Sequence, residues 1–210
     1  MKTMYKKLSV TLLLSVGFFF ADAQSVERQG YIGIGIGPSF LMGYTLADEK
    51  AKTGLNITLL DFGYVFAKGF GVSASWVGGA HNFNPGIISI TINNVNLTGK
   101  ISGTVSYGAL MVGPLYSLKL TDKSFINIKA RCGMFYSKES MSMNLFESES
   151  EKSSLGYSVT ISYQLKIAKR WCVMLTADYY SGTLESISSS NDRLNVLALN
   201  AGVGFLIHKI

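Results

Sequence analysis

The chain has 210 residues, of which 48% are hydrophobic and only 15% charged, with 19 Lys and Arg against 13 Asp and Glu for a net charge of +6. The basic excess is scattered along the chain. That argues against an electrostatic nucleic-acid interface, and no nucleic-acid partner is expected.

Lys2, Lys6 and Lys7 precede an apolar run, Leu8–Phe20, and Ala21-Asp22-Ala23 supplies small residues at an A-x-A spacing. This is the pattern of a secretory signal peptide over residues 1–23, cleaved after Ala23. Residues 24–210 then form one domain, with 16 basic against 12 acidic residues and a net charge of +4. No later stretch approaches the roughly 18 consecutive apolar residues of a membrane helix. Only Cys132 and Cys172 are present. They fall on opposite strand parities, so two free, buried thiols are expected rather than a bridge.

From residue 30 onward the chain alternates. In Gly30–Gly43, Ile32, Ile34, Ile36, Pro38, Phe40 and Met42 share one face, and Gly33, Gly35, Gly37 and Ser39 the other. A period of two is that of a strand. GIGIGP resembles a nucleotide-binding glycine loop only superficially, because Pro38 stands where a helix would open. Tyr44–Gly54 is a polar loop. Leu55–Ala67 changes phase near Leu59-Leu60, which predicts a β-bulge. Lys68-Gly69 is a tight turn, and Phe70–Gly79 sets Val72, Ala74 and Trp76 against Ser73 and Ser75. His81–Ser102 is expected to be a projecting hairpin around Asn93-Asn94, or two further wall strands. Thr104–Leu120 follows, with Pro114 marking an irregularity. Phe125–Ser137 alternates next, then a polar loop with an acidic bias over Lys138–Ser154. Leu155–Ile167 has the cleanest pattern: Tyr157, Val159, Ile161, Tyr163, Leu165 and Ile167 oppose Ser158, Thr160, Ser162, Gln164 and Lys166. Trp171–Ser181, a Ser-rich loop over Gly182–Arg193, and Asn195–Ile210 complete the chain.

The count is eight strands joined alternately by short turns and long loops. Asp61, Lys119, Lys129, Arg131, Lys166 and Asp178 all fall on the polar faces. A charge facing lipid at mid-membrane costs roughly 2–4 kcal/mol, which accounts for their absence from the apolar faces. The expected fold is therefore all-β: an eight-stranded antiparallel up-and-down transmembrane β-barrel with long extracellular loops and short periplasmic turns. Ile32, Ile34, Trp76, Tyr157, Val159, Ile161, Tyr163, Leu165 and Phe205 are expected to face lipid.

YIGIGIGPSF, FGYVFAKGFGVSASW and NAGVGFLI together resemble the small outer-membrane barrel family of the OmpA/OmpX type. The resemblance covers residues 24–210. It implies a place in the bacterial outer membrane, with outer-membrane lipid and the outer-membrane assembly machinery as partners, and an extracellular ligand taken through the long loops.

Asp61, Lys129, Arg131, Asp178 and Lys166 are the candidate lumen ion pairs, read as a plug that stiffens a narrow barrel, with a narrow pore as the alternative. No catalytic residues are assigned. His81, beside Asn82 and Asn84 with no Ser in close strand spacing, and His208 at the other end form no triad, so a lipid-modifying enzyme is not expected. No cofactor and no metal site are expected. The expected role is structural or surface-interacting. An outer-membrane barrel migrates in the outer-membrane fraction with heat-modifiable mobility on gels; a soluble periplasmic pool on fractionation would refute the membrane reading.

Overall fold

In the computed structural model, the described residues are 28–43, 45–46, 49–92, 95–143, 146–183 and 193–207. The expected signal peptide and cleavage site, the turn residues Asn93 and Asn94, most of the Ser-rich loop, and His208 lie outside them.

Eight strands close into one antiparallel barrel. They are β1 (Gln29–Met42), β2 (Gly54–Ala67), β3 (Phe70–Ile92), β4 (Val95–Lys119), β5 (Ser124–Met143), β6 (Phe146–Lys166), β7 (Trp171–Thr183) and β8 (Arg193–Ile207). Each pairs with its sequence neighbour, and β1 closes the ring on β8 through Gly30↔Ile207 to Met42↔Asn195. Among the described residues there are eight wall strands, not ten. The segment from His81 onward is a hairpin that prolongs β3 and β4, paired as far as Ile92↔Val95.

Local chemistry sets the turns at one end. Lys68 and Gly69 both have positive φ, 45° and 85°, as a two-residue hairpin turn of the right twist demands. The Thr121 Oγ1 accepts from the Ser124 amide at 3.0 Å, and Lys119 meets Asp122 at 2.7 Å. The pairing between β2 and β3 shifts register between Thr58 and Leu60, where the change of phase predicts a bulge. Pairing of β4 with β5 skips Gly113 and Pro114 without a change of register. This is the irregularity expected where a residue lacks its amide donor.

At the other end the strands are unequal. β1, β2, β7 and β8 have 13 to 15 residues, whereas β3 to β6 have 20 to 25. About 9–11 residues cross a bilayer, so the long four rise well past it. The loop expected over Lys138–Ser154 is overturned: pairing runs through Lys138↔Glu151 to Met143↔Phe146. Ser- and Glu-rich composition suggests a loop, but β5 and β6 continue each other's hydrogen bonding, and Lys138 bridges Glu149 at 2.8 Å and Glu151 at 3.0 Å across the ribbon.

The outer wall carries the apolar faces. Ile32, Ile34, Trp76, Tyr157, Val159, Ile161, Tyr163, Leu165 and Phe205 are all exposed on it. Cys132 is exposed on the same face, not buried as expected; its parity matches Met134 and Ala130. Cys172 is buried, and both thiols are free.

Above this belt the pattern inverts while the parity is unchanged. On β5, the outward Met134 and Tyr136 give way to Lys138, Ser140 and Ser142, and the inward Arg131 gives way to Phe135 and Met141. On β4, Thr104 and Ser106 point outward and Val105 and Tyr107 inward. The protein is therefore apolar outside and polar inside over one height, and polar outside over the next, where an apolar core also encloses the buried Ser39, His81, Ser137 and Glu139. The Ile161→Arg substitution in the belt is expected to lower the unfolding free energy by about 2–4 kcal/mol in a urea titration with lipid vesicles, whereas Ser140→Arg above the belt leaves it nearly unchanged.

Candidate functional site: the lumen and the protruding sheet

The lumen is built in three layers. Nearest the short turns are two small apolar clusters, Tyr31, Cys172, Met174 and Leu206 in one, Val65, Leu115 and Phe125 in the other. A cavity of about 10 Å³ lies beside them between Tyr31, Val65, Phe125 and Gln164, enough for about one water.

The ionic layer lies above. Strand alternation points Asp61 inward from β2, Lys129 and Arg131 from β5, Thr160 from β6, Asp178 from β7 and Asn200 from β8. Lys129 Nζ lies 2.6 Å from Asp61 Oδ2. Arg131 reaches Asp61 Oδ1 at 3.4 Å and Asp178 Oδ1 at 3.5 Å. Thr160 donates to Asp178, and Asn200 Nδ2 donates to Asp178 Oδ2 at 2.9 Å. The Lys129 ammonium also stands 5.2 Å from the centre of the Tyr31 ring, a cation–π contact that ties this layer to the one below. Two positive and two negative side chains balance. All four are buried, and Lys129 is wholly excluded from solvent. Four of the five predicted ion-pair residues are thus brought together. Lys166 is not: it is half-buried at the short-turn rim, near the backbone of Lys123. Parity alone places it inward, but its height on β6 takes it out of reach of the carboxylates.

The third layer was not foreseen. The reading of a small, polar interior fails here, because Val77, Phe83, Val105, Tyr107, Phe135, Tyr180, Leu194 and Val196 form an apolar core in the hairpin half of the lumen. The signal was present in the expected strands themselves, as the inward-parity residues Val77, Val105, Tyr107, Phe135, Tyr180 and Val196.

Polar links cross this core. Tyr107 donates to Asn56 Oδ1 at 2.6 Å, and Asn56 Nδ2 donates to Asn200 Oδ1 at 3.0 Å, which leads to Asp178. His81 does have a serine beside it. Ser39 Oγ, from β1 on the other side of β2, lies 3.1 Å from His81 Nε2, and His81 Nδ1 lies 3.2 Å from the Lys52 carbonyl oxygen. With Nδ1–H donating to the carbonyl, Nε2 accepts from the serine hydroxyl. Gly54 makes room: a Cβ there would fall 2.5 Å from His81 Nδ1. Both Ser39 and His81 are fully buried. The pair therefore clasps the segment before β2 to the top of the barrel, rather than presenting a nucleophile to solvent.

Outside, the upper parts of β3 to β6 form a protruding sheet. β2 pairs with β3 only up to Ala80, and β7 with β6 only from Tyr157. Beyond those points no barrel strand among the described residues lies beside either outer strand, and the Lys52 amide donates to the Asn82 carbonyl on the β3 edge. The sheet's surface is charged. The Glu149 and Glu151 carboxylates push the Lys138 ammonium up, and Lys138 in turn holds the Glu151 carboxyl below its ordinary range. This exposed bridge is complete at neutral pH and is lost as pH falls through the depressed Glu151 value. Among the described residues no group of His, Cys, Asp and Glu has the arrangement of a metal site.

No family model matches the chain. No curated protein matches it either. Solved structures do match in fold. Ail, the attachment invasion locus protein of Yersinia pestis, in complex with the heparin analogue sucrose octasulfate, is 18% identical with a TM-score of 0.54, over 87% of this chain and 100% of that one. Neisserial surface protein A (NspA) is 12% identical, TM-score 0.52, over 84% and 96%. The outer membrane protease OmpT from Escherichia coli is 7% identical, TM-score 0.50, over 89% and 100%. At these identities the likeness is one of fold, that of the outer-membrane β-barrels.

The ionic layer makes a direct prediction. Asp61→Asn leaves Lys129 and half of Arg131 without a counter-charge in a dry interior and is expected to cost about 3–5 kcal/mol of stability. The double variant Asp61→Asn with Lys129→Met is expected to recover much of that loss in the same denaturant titration, since neutralising both partners removes the stranded charge.

Proposed function

We propose that this chain is an integral protein of the bacterial outer membrane whose sealed barrel is an anchor, and whose working part is the protruding sheet of β3 to β6 and its flanking loops, which bind a partner at the cell surface. The observation that carries this reading is the division of labour along the barrel axis. Packed apolar residues close the lumen above and below a neutral ionic layer, while four strands continue far beyond the belt, past the last described pairing of β3 with β2 at Ala80 and of β6 with β7 at Tyr157.

Sealing argues against transport. Eight strands leave an interior that side chains fill, and here Phe135, Tyr180, Met111 and Lys129 are all without solvent exposure. A pore reading needs an open path for solute, and the packed side chains of the upper core fill it, the polar links that cross it being buried hydrogen bonds.

Exposed strand edges offer main-chain donors and acceptors to an extended segment of another protein. The charge pattern bears on which one. Ail is solved with a polyanion, but the ribbon of this chain sets Glu149 and Glu151 around a single Lys138. A basic protein surface is the complementary partner here, and a sulfated glycan is not. The Lys138–Glu151 bridge gives such binding a dependence on pH and on salt, both weakening it as the carboxylates are protonated or screened.

Deleting Ser140–Ser153 is expected to leave heat-modifiable migration intact and to abolish binding to host cells or matrix. Unchanged binding in an assembled barrel would overturn the surface-interaction role. In planar bilayers the intact protein is expected to show no stable conductance, and steady open channels would overturn the anchor reading.

A further inference from the structure

We infer that the outer wall carries a binding groove for a single lipid acyl chain, set at the hairpin end of the apolar belt over β2 and β3, beside β4. This rests on the membrane placement proposed above and concerns a surface that neither the lumen nor the protruding sheet uses.

A cavity of about 330 Å³ lies on the exterior, lined by Leu55, Ile57, Leu59, Gly78, Gly79 and Ala80. Strand register explains its shape. Ile57 is paired with Gly78, Gly78 with Gly108, and Gly108 with Tyr136; one row nearer the hairpins, Leu55 is paired with Ala80 and Ala80 with Ser106. One row nearer the short turns, Leu60, Trp76, Leu110 and Met134 stand side by side. The result is a hollow with a nearly bare floor. Leucine and isoleucine of β2 wall one side, and Trp76 and Leu110, each 55% exposed, close it below. Towards the hairpins it opens on the polar rim of Ser106, Asn82 and Thr104. Tyr136 would flank it on the far side, but its hydroxyl is drawn to Glu151 on β6.

Gly78 in the floor and Gly108 paired beside it are the independent observation. Most glycines on the inner wall are demanded from within: a Cβ at Gly71, Gly113, Gly133 or Gly202 would strike the backbone of the adjoining strand, although Gly35 has room for one. Gly78 and Gly108 are different. Added Cβ atoms would meet nothing nearer than the Tyr107 carbonyl oxygen at 3.5 Å and the Val77 carbonyl oxygen at 3.7 Å, ordinary contacts. Neither has the positive φ that would require glycine. A glycine inside a strand weakens it, and two face each other here without any need in the fold. What they do is keep the wall hollow for something outside it.

The position of the hollow identifies the occupant. It lies within the lipid-facing belt, is lined by apolar residues, faces the bilayer and extends to the boundary where headgroups sit, so a chain entering from that boundary lies along β2 with its carbonyl region at Ser106 and Thr104. A second copy of the barrel would approach with a convex wall, which Trp76 and Leu110 hold off the floor.

The test uses the full chain carrying Trp171→Phe, which leaves Trp76 as the tryptophan at the base of the groove and removes the one at the short-turn end. In detergent, titration with dibrominated phosphatidylcholine is expected to quench Trp76 saturably. Gly78→Leu with Gly108→Leu fills the groove without touching the interior, and is expected to weaken that quenching about tenfold or more, the loss when two buried methylenes are displaced. Heat-modifiable migration checks that the variant has folded, and Gly78→Ala alone serves if the double variant has not. Linear quenching equal in both proteins would overturn the inference. So would a dimer of the unsubstituted protein that the glycine substitutions abolish, since the groove would then hold a second copy. Failure here would leave the anchor reading intact, because conductance and surface binding test that separately.

Discussion

The contact between Lys129 and Asp61 is the constraint on which the barrel depends. These residues stand on β5 and β2, nearly opposite each other in a ring of eight, and their 2.6 Å contact braces the lumen across its width. A charge so placed has no alternative. Outward it would meet hydrocarbon, and inward without a partner it would be stranded in a medium that solvates it poorly. Arg131 extends the brace to Asp178, and Thr160 and Asn200 complete the Asp178 carboxylate. Arg131 Nε and the hydroxyls of Ser75, Ser158 and Ser162 lie in the same region without a protein partner, so the layer's polar capacity exceeds its ion pairs.

What surrounds the brace explains why it is an anchor rather than a gate in our reading. Apolar layers confine it on both sides, which keeps water from competing for the charges and strengthens each contact. The upper layer belongs to a different kind of protein. Beyond the belt the same strands behave as a soluble sheet does, with Lys138, Ser140 and Thr104 to water and Phe135, Val105 and Tyr107 in a core. The solvent changes with height along the barrel, and the side chains change with it on both faces at once.

The wall was legible because the period of two is local. Leu155–Ile167 alternates without a break, and the structure keeps that assignment residue by residue. The Leu59 bulge and the Lys68-Gly69 turn were equally plain, each being a property of a few consecutive residues. Ser39 beside His81 was not legible: the two are 42 positions apart, and only closure of β1 onto its neighbours brings them together. Lys166 shows the converse, since its parity was right and its height, which depends on the tilt and register of neighbouring strands, was not.

By itself, then, the sequence determined which side of each strand meets lipid and which side carries charge, because side-chain alternation is a property of the extended backbone and needs no partner. Only the tertiary structure decided how far each strand runs, which charges meet, and where the interior turns from ionic to apolar. Those depend on the pairing of distant segments. A Ser- and Glu-rich stretch is a loop when alone and a strand when a neighbour satisfies its backbone, and Lys138–Ser154 has that neighbour in itself, folded back at Met143 and Phe146.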